Sequence, residues 1–252
     1  MKVKLLAGGS NGDPKEHYLT SFIINDSLAV DAGSLPLVLS RSQQLLIRDV
    51  IITHSHLDHL AGLPLMLDNI FADMEISVSA YSTKETIAAL HDHIFNNVIW
   101  PDFSSFCNRL GARLIFEERQ ALTPFRLGEL EILLVPVNHT VPTCGVIVDD
   151  GQSAVAISSD TTDTEEIWRI AGQNPRLKAL FMECSYPNRL ERLAYLYGHL
   201  CPSLLLKQVQ KVGKDVPCYA YHIKAAYLRE IMTELEGLAG VVAAEPCVEY
   251  EV

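Results

Sequence analysis

The chain has 252 residues, of which 48% are hydrophobic and 20% charged, a composition typical of a globular protein with a sizeable core. Its formal net charge of −11, without any cluster of Lys and Arg, argues against extended nucleic acid as a partner. No stretch approaches the roughly 20 apolar residues that a membrane span requires, and the six cysteines form no C-x-x-C pair. We therefore expect a cytoplasmic protein with a single domain over residues 1–252.

Short apolar runs alternate along the chain with longer segments of helical periodicity. The predicted strands are Val3–Ala7, Ser21–Ile24, Leu28–Val30, Val50–Thr53, Ile76–Ala80, Arg113–Phe116, Leu130–Val135, Cys144–Val148, Ala154–Ser158, Ala179–Met182 and Val216–Ala220. The predicted helices are Leu35–Leu46, His59–Ile70, Ser82–Phe95, Asp163–Ala171, Cys201–Lys211 and Lys224–Leu235. Thr162 or Asp163 is the expected N-cap of the helix near 163, and Pro202 suits the first turn of the helix near 201. This order favours two β-sheets between helical layers.

The segment from Asp49 to Gly62 carries an unusual density of metal-binding side chains directly behind a predicted strand. Four potential ligands lie within six positions: His54, His56, Asp58 and His59. Side chains alternate along an extended chain, so the first two point the same way, and a turn into the next helix lets the other two converge nearby. An ordinary polar loop would rarely show this density. The pattern predicts two ligands for each of two metal ions, and imidazole with carboxylate suits zinc, manganese or iron.

Four side chains cannot complete the ligand shells of two metals, so further ligands are expected later in the chain. Three residues follow predicted strands in the same way: His139, Asp160 and His222. Each alone could equally be a polar loop residue. Because all three stand at the C-terminal ends of strands, one sheet edge can present them beside the motif.

The motif T-H-x-H-x-D-H, followed by a strand-end His, a strand-end Asp and a late His, resembles the metallo-β-lactamase superfamily from Gly8 to about Lys224. The resemblance implies an αββα sandwich, with two mixed β-sheets flanked by helices. It also implies two divalent metals, with zinc expected before manganese or iron. One metal would be held by His54, His56 and His139, and the other by Asp58, His59 and His222, while Asp160 would bridge the two. Asp31 matches the acidic residue that supports the metal loop through hydrogen bonds.

The ligand pattern is similar to that of the phosphodiesterase and thioesterase branches, because β-lactam-opening enzymes usually lack the ligand at the His59 position and carry Cys at the Asp160 position. Within those branches the class II 3′,5′-cyclic-nucleotide phosphodiesterases show several similar segments. These are His54–Gly62, His93–Phe103, Glu183–Asn188, Tyr197–Pro202 and Tyr221–Lys224. The resemblance implies hydrolysis of cAMP or cGMP to the 5′-nucleotide by a metal-bridging hydroxide. It implies a small-molecule partner and leaves a homodimer open.

The predicted catalytic residues are Asp58, His199 and Glu183. In the related RNA-cleaving branch, a His in a similar setting lies over the metals. By this resemblance His199 would bind the phosphate or protonate the leaving oxygen, and Glu183 would orient it by accepting a ring N–H. The alternative for His199 is a buried structural or helix-capping role.

Asn96 and Trp100, in the segment His93–Phe103, are predicted to bind substrate together with His199. An amide and an aromatic ring here would line a nucleoside pocket, where stacking holds a base. The alternative is a loop that Trp100 and Phe103 pack. The remaining histidines are interpreted as surface or loop residues: His17, His91 and His93.

Three other functions stay open. A tRNA 3′-processing endonuclease would share the seven ligands and the additional His, but would be expected to carry a basic arm that grips tRNA. A glyoxalase-type thioesterase would lack the sequence context of His199. A non-enzymatic binding module would have lost ligands, whereas all seven are present in this sequence.

Overall fold

The computed structural model describes residues 1–7, 19–72, 76–108 and 111–252. Two large β-sheets face each other, and helices cover the outer face of each sheet. This arrangement confirms the predicted αββα sandwich. Within the described ranges, no helix is both long enough and apolar enough to cross a bilayer.

The strands of the described chain are short, as is usual in globular proteins. In chain order they are β1 (Lys2–Leu6), β2 (Ser21–Ile24), β3 (Leu28–Val30), β4 (Asp49–Ile51), β5 (Val78–Ser82), β6 (Cys107–Asn108), β7 (Gly111–Ala112), β8 (Leu114–Glu118), β9 (Phe125–Leu127), β10 (Leu130–Val137), β11 (Thr143–Asp149), β12 (Ala154–Ile157), β13 (Leu177–Glu183), β14 (Cys218–Tyr221), β15 (Val241–Ala243) and β16 (Glu249–Glu251). The helices are α1 (Leu35–Val38), α2 (Arg41–Gln44), α3 (Leu57–Leu60), α4 (Gly62–Asn69), α5 (Lys84–His93), α6 (Glu166–Gln173), α7 (Glu191–Leu196), α8 (Pro202–Val212) and α9 (Leu228–Glu236), with 3₁₀ turns at Asn188–Leu190 and Ala225–Tyr227.

Both large sheets are mixed, and their strand directions determine where the loops meet. The N-terminal sheet has the order β16-β1-β2-β3-β4-β5-β8, in which β3, β4, β5 and β8 run parallel. The C-terminal sheet has the order β15-β14-β13-β12-β11-β10-β9, in which β12 to β15 run parallel. Strands β6 and β7 form a separate pair. The loops that follow β3, β4, β10, β12 and β14 are therefore free to gather at one end of the sandwich.

Apolar side chains fill three layers, one between the sheets and one beneath each set of helices. Between the sheets, the ring of Phe22 packs edge-to-face on Phe181 and Tyr221, with centroids 5.3 and 4.9 Å apart. Trp168 is fully buried beneath the C-terminal helices, and its Nε1 donates to Gln208 Oε1 at 3.1 Å. These layers fix the packing of the sheets beneath the loops at the shared end.

Two predicted helices are each divided in the structure. The segment predicted as one helix over 35–46 is interrupted at Ser40, where a capping box starts α2. Gln43 N donates to Ser40 Oγ at 3.4 Å, and Ser40 N donates to Gln43 Oε1 at 2.9 Å. The segment predicted as His59–Ile70 forms α3 and α4, and α3 starts earlier than predicted, at Leu57.

The helix start predicted at Thr162 or Asp163 is wrong. The N-cap of α6 is Glu165, and the preceding residues form a loop that supports the site. Asp163 instead accepts a hydrogen bond from Gln208 Nε2 at 2.7 Å, so its side chain is used outside the helix. The prediction for Pro202 in the first turn of α8 is confirmed.

Candidate metal centre

Loops at the shared end of the sandwich bring the predicted ligands together, and three of these loops turn sharply. Asp31, Ser159 and His222 each follow a strand and have positive φ angles of 61°, 56° and 58°. A residue with a Cβ rarely adopts this conformation, and it persists where surrounding contacts fix it. The turns let residues next to buried strands direct their side chains into one site.

Seven side chains lie close enough to ligate metal, and they form two groups that share one carboxylate. Within each group the potential ligand atoms all lie within 4.8 Å of one another: His54, His56, His139 and Asp160; Asp58, His59, Asp160 and His222. His59 Nε2 lies 3.2 Å from Asp160 Oδ1 and His222 Nε2 lies 3.5 Å from Asp160 Oδ2, while His54 Nε2 lies 3.8 Å from Asp160 Oδ2. The structure therefore gathers every residue that the sequence predicted as a ligand.

Three buried atoms at the centre of this cluster have no hydrogen-bond partner among the described residues: His54 Nε2, His59 Nε2 and Asp160 Oδ1. An unsatisfied buried polar atom destabilises a protein by about 1–3 kcal/mol. Imidazole nitrogens and a carboxylate oxygen converging in this way are the donors that divalent transition metals bind. The residues present therefore fit a metal centre.

The second ring nitrogen of four of these histidines contacts a neighbouring oxygen. These contacts are His54 Nδ1 to Thr53 Oγ1 at 3.0 Å, His59 Nδ1 to Asp31 Oδ2 at 2.7 Å, His139 Nδ1 to the Gly198 carbonyl at 2.8 Å, and His222 Nδ1 to Thr20 Oγ1 at 2.7 Å. Partners of this kind fix the orientation and tautomer of a metal-binding imidazole. Asp31 also accepts hydrogen bonds from the Thr53 backbone N at 2.8 Å and from its hydroxyl at 2.9 Å.

Burial keeps most of the clustered imidazoles neutral. It lowers the pKa of His54, His56 and His139, and it lowers the pKa of His222 to about 4. Neutral imidazole is the form that ligates metal. These four rings are therefore ready to bind metal at neutral pH.

His199 and Glu183 form a buried pair beside the cluster. His199 Nδ1 lies 2.8 Å from Glu183 Oε1 and 3.9 Å from Asp160 Oδ2. Ser185 donates to Glu183 Oε2 from both its backbone N and its hydroxyl, each at 3.1 Å. Burial lowers the pKa of His199, but the charge and hydrogen bond of Glu183, together with the charge of Asp160, raise it overall.

A cavity of about 480 Å³ opens beside the second group of ligands. Its lining is mixed, with apolar, acidic and basic side chains: Leu19, Leu57, Asp58, Ala61, His222, Lys224 and Ala225. This volume lies within the range of small-molecule sites. Leu57 is 64% exposed at this cavity, directly between two residues of the ligand motif.

The structure does not bring Asn96 and Trp100 to this cluster. Asn96 Oδ1 accepts hydrogen bonds from the backbone N of Val98 and Ile99, at 3.0 and 2.8 Å, and so shapes its own loop. Trp100 packs against the N-terminal core. Neither residue lines the cavity, so their contact with a nucleoside stays a prediction.

The other histidines lie apart from the cluster or outside the described part. His91 and His93 are exposed, as predicted. His17 lies outside the described residues.

Sequence reasoning missed the residues that orient the ligands, chiefly Thr20 and Gly198. Gly198 has φ +72°, and a Cβ there would lie 2.7 Å from His139 Nδ1, so a side chain would displace the imidazole. Within the segment Tyr197–Pro202, the sequence predicts a functional role for His199 but none for Gly198. Thr20 carried no signal, because its partner His222 is 202 positions away.

Solved structures of the metallo-β-lactamase fold share this architecture. The unliganded yeast PDE1 structure matches with a TM-score of 0.82 at 18% identity, covering 100% of this chain and 99% of that one. Human short-form tRNase Z matches with a TM-score of 0.71 at 15% identity, covering 100% and 99%. At these identities the likeness shows the fold alone. Together with the donor cluster, the likeness defines a protein of the metallo-β-lactamase fold with a candidate centre for divalent metal.

Sequence comparison narrows this class to one family. The family model "cAMP phosphodiesterases class-II" matches residues 36–135 and 137–236. The Yersinia pestis protein named "Probable 3′,5′-cyclic-nucleotide phosphodiesterase" is 27% identical over 278 residues, covering 89% of this chain and 79% of its own length. The Saccharomyces cerevisiae "3′,5′-cyclic-nucleotide phosphodiesterase 1" is 27% identical over 194 residues, covering 66% of this chain and 51% of its own length. The chain belongs to the class-II cAMP phosphodiesterase family.

Proposed function

We propose that the protein hydrolyses 3′,5′-cyclic nucleotides, cAMP or cGMP, to 5′-nucleotides with the help of two divalent metal ions. The observation that carries the proposal is the pair of ligand groups sharing Asp160, in a chain of the class-II family. The Yersinia pestis relative is named for this activity, and the cavity of about 480 Å³ suits a small-molecule substrate. The cytoplasmic location, the single domain and the homodimer stay predictions.

In this proposal the two ligand groups hold one ion each. His54, His56 and His139 serve the first, Asp58, His59 and His222 serve the second, and Asp160 serves both. Ions bound there would lower the pKa of a water molecule and neutralise charge on the phosphodiester. The Asp58 carboxylate is 36% exposed and also forms part of the cavity wall, so a substrate in this cavity would lie beside it.

His199 is proposed as the general acid, with Glu183 as its positioning partner. With Nδ1–H donated to Glu183, Nε2 is the nitrogen that exchanges a proton with the substrate. The raised pKa of His199 favours the protonated ring that a proton donor needs. The reaction consumes one water, whose oxygen bonds to phosphorus while the P–O3′ bond breaks. The 3′-oxygen takes its proton from His199, and a proton of the water restores the acid.

The test is a substrate profile of the purified protein. The substrates are cAMP, cGMP, 2′,3′-cyclic nucleotides, bis-p-nitrophenyl phosphate, a thioester and precursor tRNA. We expect the highest kcat/KM on a 3′,5′-cyclic nucleotide. Cleavage of precursor tRNA without turnover of cyclic nucleotides would overturn the proposal in favour of tRNA 3′-processing, and turnover of the thioester alone would favour a thioesterase.

A further inference from the structure

The acidic surroundings of the cavity beside the ligand cluster would repel an anionic substrate. The protein carries a formal net charge of −11, and Asp58 places a carboxylate in the cavity wall. Among the described lining residues, Lys224 is the only lysine or arginine. A positive charge here would offset the acidic surroundings at the place where a phosphodiester would enter.

The Lys224 ammonium is held by an aromatic ring. Its Nζ lies 5.4 Å from the centre of the Tyr186 ring, a distance typical of a cation–π contact. The Tyr186 ring in turn lies 5.8 Å from the ring of His199, measured between centroids. No carboxylate of the described chain forms a salt bridge with Lys224, unlike Lys2 or Lys211, which pair with glutamates. The charge is therefore oriented beside the site without being neutralised.

We propose that Lys224 binds the phosphate group of the substrate and that Tyr186 positions its ammonium. The inference rests on the proposed function for the nucleotide, but it applies to any phosphodiester that the site accepts. A lysine suits this task because its ammonium is a compact charge with three donors, able to follow the phosphate oxygens. Lys224 follows the proposed ligand His222 by two residues, and the segment after β14 places both side chains at the same cavity.

The first test compares Lys224→Met and Lys224→Arg with the matched control Lys178→Met. Lys178 is exposed near the N-terminal end of β13, whereas the site lies at the C-terminal ends of the strands. The readouts are the KM for bis-p-nitrophenyl phosphate, which has neither ribose nor base, and the Kd of inorganic phosphate by calorimetry on the metal-loaded protein. We expect Lys224→Met to raise both by about 10- to 100-fold. Lys224→Arg should recover part of the loss, and Lys178→Met should match the wild type.

These readouts separate the inference from the proposed function. If cyclic nucleotides are not substrates, the diester and phosphate measurements still report on Lys224. Unchanged KM and Kd values in Lys224→Met would overturn the inference. A rise in the KM for cyclic nucleotides alone would also overturn it, because Lys224 would then contact the ribose or base. Loss of bound metal in Lys224→Met would assign it a structural role instead.

The second test addresses Tyr186. Tyr186→Leu removes the aromatic face and should raise the Kd of phosphate, whereas Tyr186→Phe keeps that face and should recover most of the affinity. In the Lys224→Met background, Tyr186→Leu should have little further effect, because both changes remove the same contact. Additive effects of the two substitutions would show that Tyr186 does not act through Lys224.

Discussion

At the scale of single residues, Asp160 connects the two ligand groups. It is 1% exposed, and its carboxylate lies within 4 Å of five imidazoles: His54, His59, His139, His199 and His222. No other side chain belongs to both groups found within the described chain. Its removal should therefore affect the whole centre rather than one half of it.

We predict that Asp160→Ala abolishes turnover and releases at least one metal ion per chain, because both ions lose a ligand. Elemental analysis and a cyclic-nucleotide assay measure the two effects. Asp215→Ala, which changes an exposed acid outside the site, is the control. Near-normal turnover of the Asp160 variant would show that the ligand assignment is wrong.

His199→Ala should retain the metals and lower kcat by roughly 10²- to 10⁴-fold, the range for loss of a general acid. The reason is the pair with Glu183, which leaves one ring nitrogen for the substrate. The decrease should shrink on a nucleotide ester of p-nitrophenol, whose departing oxygen needs little protonation. Equal decreases on both substrates would instead indicate binding of the phosphoryl oxygens, and loss of metal would make His199 a ligand.

At the scale of elements, the turn after α7 places the His139 ring. Gly198 lies in this turn with φ +72°, and its carbonyl oxygen lies 2.8 Å from His139 Nδ1. The backbone therefore acts both as a hydrogen-bond partner and as a close steric neighbour of the ring.

Gly198→Ala should destabilise the protein by about 1–2 kcal/mol through the left-handed backbone alone, and it should also weaken metal binding through the clash with His139. Gly213→Ala is a matched control, since Gly213 has φ +66° but no atom within 4 Å of the added Cβ. Denaturant unfolding and metal titration of both variants separate the two effects. If the two variants bind metal equally well, the contact with His139 does not position the ring.

Apolar periodicity predicted buried strands, but it missed features that depend on long-range strand pairing or on a single polar side chain. β2 and β3 match their predicted bounds because their residues are uniformly buried. β16 was not predicted, since its residues are half-buried or exposed and it forms by pairing with β1, as in Lys2 with Glu251. The split of the predicted helix over 35–46 depended on the side chain of Ser40, which periodicity does not register.

In the candidate site, too, some features could be predicted from the sequence and others could not. The ligands were predictable because His and Asp at strand ends are visible in the sequence. Their orienting contacts were not, because they join residues far apart in the chain. Thr20 meets His222 only where the two sheets pack together, and Gly198 meets His139 across 59 positions within the C-terminal half.

At the scale of the whole molecule, the ligands join both sheets. The motif follows β4 of the N-terminal sheet, whereas Asp160 and His222 follow β12 and β14 of the C-terminal sheet. Bound metal should therefore stabilise the packed sandwich as well as the local loops.

We predict about two transition-metal ions per chain, since seven donors exceed one tetrahedral shell. Chelation should lower the Tm, and readdition of zinc or manganese at about 100 times its Kd should restore about 2.7 kcal/mol of stability per site. Elemental analysis and thermal unfolding measure this. Active protein with one ion or none per chain, or a Tm that does not change on chelation, would contradict the prediction.

The order of the proposed ligands along the chain also has a consequence for biosynthesis. The group with His54, His56 and His139 is complete once Asp160 has left the ribosome, but the other group waits for His222. At roughly 5–20 residues per second, several seconds separate the two events. A nascent chain thus carries all four residues of the first group while the second still lacks His222. A chain truncated between residues 160 and 222 would therefore keep the residues of one group and only three of the other.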